Sequence, residues 1–282
     1  MQDTASPSTN LLFSIVDLHA ITLPLPKGAL TQFKHQGLAS LLAIGLDPAR
    51  STIFYQSSVP AHSELQWILS CLAPTGYLSR MTQWKSKLKL GEDASVFDED
   101  KRAKLRHGLF SYPILQAADV LVHRATHVPV APVKRVMSLR TPTAKMSKSD
   151  PDLRGRILLN DGDEVIRKKV MGAVTDSVNA VSCDPKGRPG VANLLGLLSY
   201  FTGEVQSTEE LAREMEGREL SVLKRRVADV IVEYIGPIRE RYEEIMGRGQ
   251  GYLDGIAEHG KIKANESAEA TMKLVREAVE LS

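Results

Sequence analysis

The sequence predicts an α/β protein: a parallel sheet with crossover helices in the first half and an all-helical C-terminal region. Three observations carry this. Short apolar, β-branched runs alternate with helical periods at first, a turn-bounded basic loop follows at 144–150, and from Asp163 onward only helical periods remain. With 282 residues, 43% of them apolar, the chain can bury one large or two ordinary cores. Its 36 basic and 34 acidic residues leave a net +2, which excludes a uniformly basic nucleic-acid coat and allows only local positive patches. Cys71 and Cys183 stand far apart with no Cys-x-x-Cys partner, so neither a disulfide framework nor a zinc cluster is implied. No apolar run is long enough to cross a membrane, and residues 1–10 contain no Arg or Lys and do not read as a transit peptide.

Residues 11–16, LLFSIV, are an apolar run of the kind buried in parallel sheets, and a second such strand is predicted at 51–56. The segment Asp17-Leu18-His19 follows the carboxyl end of the first strand, where open α/β sheets place binding residues. A structural histidine is the alternative for His19. Residues 29–44 have helical spacing and stop at Gly45 and Pro48, and residues 62–72 place Leu65, Ile68, Leu69 and Leu72 on one face, with Trp67 expected to pack. Basic and acidic stretches between Arg80 and Lys104 read as a solvated helix pair, with an RNA or subunit contact as the alternative. A helix is predicted at 114–122. Asp119 is the anomaly there: a carboxylate on an apolar helix must be paired if buried, and a substrate N–H is one partner, with an aspartate on the helix surface as the alternative. Residues 126–131 look strand-like. Helices follow at 164–174, 191–202, from a capping box at Ser207 and Glu210, at 220–235, and through Leu281.

The loop at 144–150, AKMSKSD, carries Lys145 and Lys148 interleaved with Ser147, Ser149 and Met146, between Pro142 and Pro151. Two mobile point charges suit the approach to a polyphosphate whose leaving group gains charge. The bland alternative is a solvated basic turn.

KMSKS at 145–149 matches the signature loop of the class I aminoacyl-tRNA synthetases. Beyond it, the chain resembles the tryptophanyl-tRNA synthetases of bacterial and mitochondrial type over nearly its whole length. The matching stretches include FSIVDLHAIT at 13–22, SVPAH at 58–62, RMTQWK at 80–85, YPILQAAD at 112–119, HVPV at 127–130, AVTD at 173–176, GVANL at 190–194 and PIRERY at 237–242. The resemblance implies a class I Rossmann-like catalytic domain at 1–153, with an incomplete sheet, and a helical tRNA anticodon-binding domain at 154–282. It implies activation of tryptophan with ATP and magnesium, transfer to tRNA(Trp), and action as a homodimer, in the mitochondrial matrix or the cytoplasm. By position, Asp119 is the acceptor for the indole N–H, with Tyr112, Gln116, Val128 and Val130 around the ring and Val16 and His19 close by. The resemblance also implies that Lys145 and Lys148 stabilise the departing pyrophosphate, with Met146, Ser147 and Ser149 in the same nucleotide-binding loop.

Two elements of the family pattern have no counterpart in this sequence: the strand–turn–helix with a His-Ile-Gly-His-like motif before Leu11, and a segment beginning Gly-Glu-Asp-Gln between Ala131 and Pro132. The chain as written is therefore expected to exchange little pyrophosphate. A non-catalytic tRNA-binding or dimerising remnant is the alternative, with Arg167, Lys168, Lys169, Lys224, Arg225 and Arg226 as phosphate contacts.

Overall fold

A computed structural model describes all residues except 1, 7, 89, 92–94, 96–97, 100–104, 129–135, 148–149, 151, 203–205 and 282. The elements, in order, are β1 (Leu11–Ile15), α1 (Asp17–Ala20), α2 (Ala29–Ala43), β2 (Ser51–Tyr55), α3 (Ala61–Leu72), α4 (Thr75–Ser79), α5 (Gln83–Lys87), α6 (His107–Leu121), α7 (Asp163–Met171), α8 (Pro189–Phe201), α9 (Thr208–Glu214), α10 (Leu220–Gly247) and α11 (Gln250–Ala278). A 3₁₀ turn over Gln56–Ser58 follows β2, and another spans Leu153–Gly155.

The chain divides into two compact units, one formed by Met1–Val128 with Ile245–Ser282, the other by Pro129–Glu244. A single cut after residue 153 does not describe these units, because the last helix returns to the sheet. In the first unit β1 and β2 pair in parallel, with Leu11 opposite Ser51 and Ile15 opposite Tyr55. Helix α11 lies on β2 through small residues one turn apart, Gly260, Ala264 and Ala268, the alanines fully buried. A core of Phe54, Val59, Leu65, Ala118, Val122 and Met272 joins β2, α3, α6 and α11. In the second unit, Leu139, Ile166, Val170, Leu194, Leu198, Leu211, Leu223 and Ile231 form the core between α7, α8, α9 and α10.

Several elements start or stop away from their predicted bounds. Helix α2 ends as expected, at Gly45 with φ +103°, a conformation that favours glycine. Helix α6 begins at His107, not 114, and holds Pro113 inside it; α10 likewise runs through Pro237 to Gly247. A proline removes one helical hydrogen bond, and apolar burial on both sides of it, at Leu109 and Ile114, outweighs that loss in α6. Residues 126–128 form no strand, and the rest of the predicted strand at 129–131 lies outside the described residues. The Ser207–Glu210 capping box is present, with each side chain bonded to the other's backbone N–H. Trp67 is 68% exposed on α3 rather than packed.

Candidate functional site

The site grows from the carboxyl ends of the two parallel strands. After β1 the chain turns into α1, whose first residue, Asp17, is buried and accepts bonds from the Ser57 N–H at 2.8 Å and the Ser57 hydroxyl at 2.5 Å, with Lys34 at 3.0 Å. Lys34 also lies 4.2 Å from the centroid of the Tyr55 ring. This knot ties α1 and α2 to the turn after β2. It thereby fixes where His19 stands, two residues along α1.

His19 Nε2 lies 2.9 Å from Asp119 Oδ2, and its ring meets the Tyr112 ring edge-on, centroids 5.7 Å apart. The other carboxylate oxygen, Oδ1, accepts from Gln56 Nε2 at 2.6 Å and contacts His62 Nδ1 at 2.7 Å. Burial alone would raise the Asp119 pKa, but the bonds from His19, His62 and Gln56 outweigh it and hold the carboxyl down at about 2. Asp119 is therefore an anion at neutral pH, with its side chain only 15% exposed. Among the described residues, Oδ1 has two hydrogen-bond partners and Oδ2 one, so Oδ2 can accept a second donor.

Behind Asp119 the polar chain continues. His62 is fully buried, its Nε2 lies 3.3 Å from His123 Nε2, and His123 Nδ1 lies 3.2 Å from the hydroxyl of Ser267 on α11. Phe54 packs against both imidazoles. Burial, reinforced by His62 and opposed by Asp119, pushes the His123 pKa down to about 4.

Of the residues expected around an amino acid, His19, Tyr112 and Asp119 come together. Gln116 is exposed on α6, one turn from Tyr112. Val16 and Val128 are exposed, at 46% and 60%. Val130 lies outside the described residues. Gln56, His62 and His123 were not singled out as site residues. The strand-end rule applied to β1 would have found Gln56 after β2, and His123 follows Asp119 at a one-turn spacing. A cavity of about 620 Å³ borders Tyr112, lined also by Leu18, Thr22, Trp67, Cys71 and Leu115.

The lysine loop belongs to the second unit. Its entry is pinned by an antiparallel bridge between Met137 and Lys145, with the Met146 N–H donating to the Val136 carbonyl and the Ser138 N–H to the Ala144 carbonyl, both at 2.9 Å. Asn193, from the GVANL stretch, grips the Met137 backbone from both sides, accepting its N–H at 3.3 Å and donating to its carbonyl at 3.1 Å. Met146 packs onto the core of this unit, while Lys145 and Ser147 are exposed. Lys148 and Ser149 lie outside the described residues. The loop is thus anchored at Met146 and offers the Lys145 charge to solvent.

Most of the expected phosphate contacts are engaged elsewhere. Lys169 pairs with Asp161, Arg167 with Asp229, and Arg226 with Glu214, while Lys224 donates to the carbonyl of Ala173 at 2.8 Å. Lys168 and Arg225 are exposed.

Binding residues at the carboxyl ends of parallel strands, together with an anchored KMSKS loop, are the marks of a class I aminoacyl-tRNA synthetase. Residues 1–132 and 128–235 match the family described as tRNA synthetases class I (W and Y). The mitochondrial tryptophan–tRNA ligase of Saccharomyces cerevisiae is 39% identical over 303 aligned positions, covering 93% of this chain and 79% of that protein. The tryptophan–tRNA ligase of Gloeobacter violaceus is 36% identical, with 95% and 86% covered. Among solved structures, the tryptophanyl-tRNA synthetase of Mycoplasma pneumoniae has a TM-score of 0.85 at 27% identity, covering all of this chain and 90% of that one. The Campylobacter jejuni enzyme complexed with ADP and tryptophan has a TM-score of 0.71, also at 27% identity, with 100% and 92% covered. The chain belongs to the tryptophan–tRNA ligase family. The yeast alignment is longer than the chain's 282 residues, so that relative holds internal residues with no counterpart here.

Proposed function

We propose that this protein activates tryptophan with ATP and transfers it to tRNA(Trp). Asp119, held ionised with an unused lone pair on Oδ2, carries this reading. It receives the indole N–H, Tyr112 and Gln116 flank the ring from the same face of α6, and Val16, His19, Val128 and Val130 complete the surround. An amino acid with no N–H to give would leave that Oδ2 position unfilled and shut off from water, which selects against it. Lys145 and Lys148 neutralise the pyrophosphate as it leaves, with Met146, Ser147 and Ser149 forming the rest of the loop. Magnesium enters as the ATP complex, coordinated by the substrate phosphates.

The catalytic groups lie within 1–153, and helices α7 to α10 supply the tRNA contacts, with Lys168 and Arg225 facing phosphates. The protein works as a homodimer, in keeping with the exposed Trp67, Leu72 and Tyr77, at 68%, 75% and 55%. The yeast relatives favour the mitochondrial matrix and the bacterial relatives a cytoplasmic setting. No helix among the described residues is long and apolar enough to cross a membrane. Tryptophan titration by calorimetry tests the central claim: Asp119→Asn should weaken binding with the fold intact, and unchanged affinity would remove Asp119 from the site.

The meeting of the two family matches at 128–132 favours a second reading, a tRNA-binding or dimerising protein without adenylation. Salt-dependent tRNA binding without pyrophosphate exchange would support it.

A further inference from the structure

The hydrogen-bond chain behind Asp119 contains three links whose direction can be worked out. An ionised carboxylate only accepts, so His62 must carry its proton on Nδ1 to bond Oδ1 at 2.7 Å. In a neutral imidazole the other nitrogen then accepts, and the atom 3.3 Å from it, His123 Nε2, must be the donor. That leaves His123 Nδ1 as an acceptor, and the Ser267 hydroxyl donates to it across 3.2 Å. Every link runs the same way. Of His62, His123 and Ser267, only His62 lies in a stretch that carries the family resemblance.

We propose that His62, His123 and Ser267 are positioning residues for the amino-acid-binding carboxylate: a one-way relay from Ser267 through His123 and His62 fixes Oδ1 of Asp119 and leaves Oδ2 to receive the ligand. This deepens the reading of Asp119 as the tryptophan acceptor and rests on it. The relay uses Oδ1 from the rear while Gln56 uses it from the side, so the carboxylate cannot rotate without breaking two bonds. Its far end sits on α11, so the last helix of the chain sets the orientation of a side chain that begins 148 positions earlier in α6. Phe54, packed against both rings, keeps water from competing for the links.

The groups facing Asp119 that can titrate are His19 from α1, His62 from α3, Tyr112 from its own helix, and His123 just beyond it.

The test is ¹⁵N NMR of the imidazoles in the full chain, beside tryptophan titrations of His123→Phe, His62→Asn and His62→Phe. The expected spectrum at neutral pH shows the Nδ1–H tautomer at His62 and the Nε2–H tautomer at His123. His123→Phe keeps the aromatic contact with Phe54 and should bind tryptophan roughly three- to tenfold more weakly. In His62→Asn the introduced amide can occupy the place of imidazole Nδ1, so this variant should retain more affinity than His62→Phe. The opposite tautomer at either histidine, or a His123→Phe protein with parental affinity, would overturn the relay. Should Asp119→Asn bind tryptophan normally while both tautomers are as stated, the failure lies in the assignment of Asp119 to the amino acid and not in the hydrogen-bond chain.

Discussion

Gly260 of α11 rests directly on the carbonyl of Ile53 in β2: a Cβ at this position would stand 1.8 Å from that oxygen. The contact is backbone on backbone, so nothing flexible can give way. Gly260→Ala should therefore cost about 3 kcal/mol or more. Gly255, one turn and a residue earlier, has nothing within 4 Å of its virtual Cβ, and Gly255→Ala should instead stabilise by about 0.5–1 kcal/mol through helix propensity. Thermal or urea denaturation of the two variants, in opposite directions from the parent, is the measurement. A tolerant Gly260 would show that α11 does not sit on the sheet this closely.

The same contact shows where sequence reading reached its limit. Both strands were legible because a short β-branched run between turn formers has few other homes. The Ser207 capping box was legible because both its bonds are local. The place of α11 was not: its period says helix, and nothing in it says which unit it covers. Gly260, Ala264 and Ala268 fit a helix that lies flat on a strand, but small residues also occur on exposed helices. Asp119 could be marked as needing a partner, since a carboxylate among apolar residues is a local anomaly. Its donors could not be named, because His62 is 57 positions away and the Ser267 that ends the relay lies 144 from His123. Prolines misled in the other direction. Pro113 and Pro237 read as boundaries, yet burial along α6 and α10 outweighs one lost hydrogen bond each.

Acid should unfold the first unit in two stages with the same sign. His123 has its folded pKa lowered from 6.5 to about 4, so the unfolded state takes up its proton first and stability falls as pH drops through that window. Asp119, lowered from 3.8 to about 2, contributes stability that is present above about pH 4 and lost between there and pH 2. Each shift corresponds to an effect on the order of a few kcal/mol. Urea midpoints measured from pH 7 down to pH 3 should fall steadily in the parent. In His123→Phe the upper stage should vanish while the lower remains.

Asp17 should prove more important to stability than its place at the end of β1 suggests. It is 3% exposed and answers three donors, the Ser57 N–H, the Ser57 hydroxyl and Lys34. Asp17→Ala strands all three in a half-buried setting and should cost about 3 kcal/mol. Because α1 starts at Asp17, the same change loosens His19 and should also weaken tryptophan binding. Lys34→Met removes the charge but keeps its stem over the Tyr55 ring, and should cost less. A larger loss in Lys34→Met than in Asp17→Ala would reverse this account.

Lys145 should matter to the reaction and hardly at all to the fold. Its side chain is exposed, while its backbone is held by the bridge to Met137 and, through Met137, by Asn193. Lys145→Ala leaves those bonds in place, so the melting temperature should stay within the scatter of surface substitutions. Charge develops on the departing pyrophosphate only as the bond to the α-phosphate breaks. Removing a group that answers it there lowers kcat by about 10²–10³, with the KM for tryptophan unmoved. Asn193→Ala gives the converse pattern, a loosened loop with its lysine intact, expected to lower stability by about 1–2 kcal/mol and exchange by less than Lys145→Ala does. Tryptophan-dependent exchange of pyrophosphate into ATP is the assay, run on the chain as written and on a version carrying a relative's internal residues between Ala131 and Pro132. The restored version is expected to turn over faster, and it is the background in which the two substitutions are compared. If Lys145→Ala there raised the KM for ATP and left kcat alone, the lysine would bind ground-state nucleotide and would play no part in the leaving-group step.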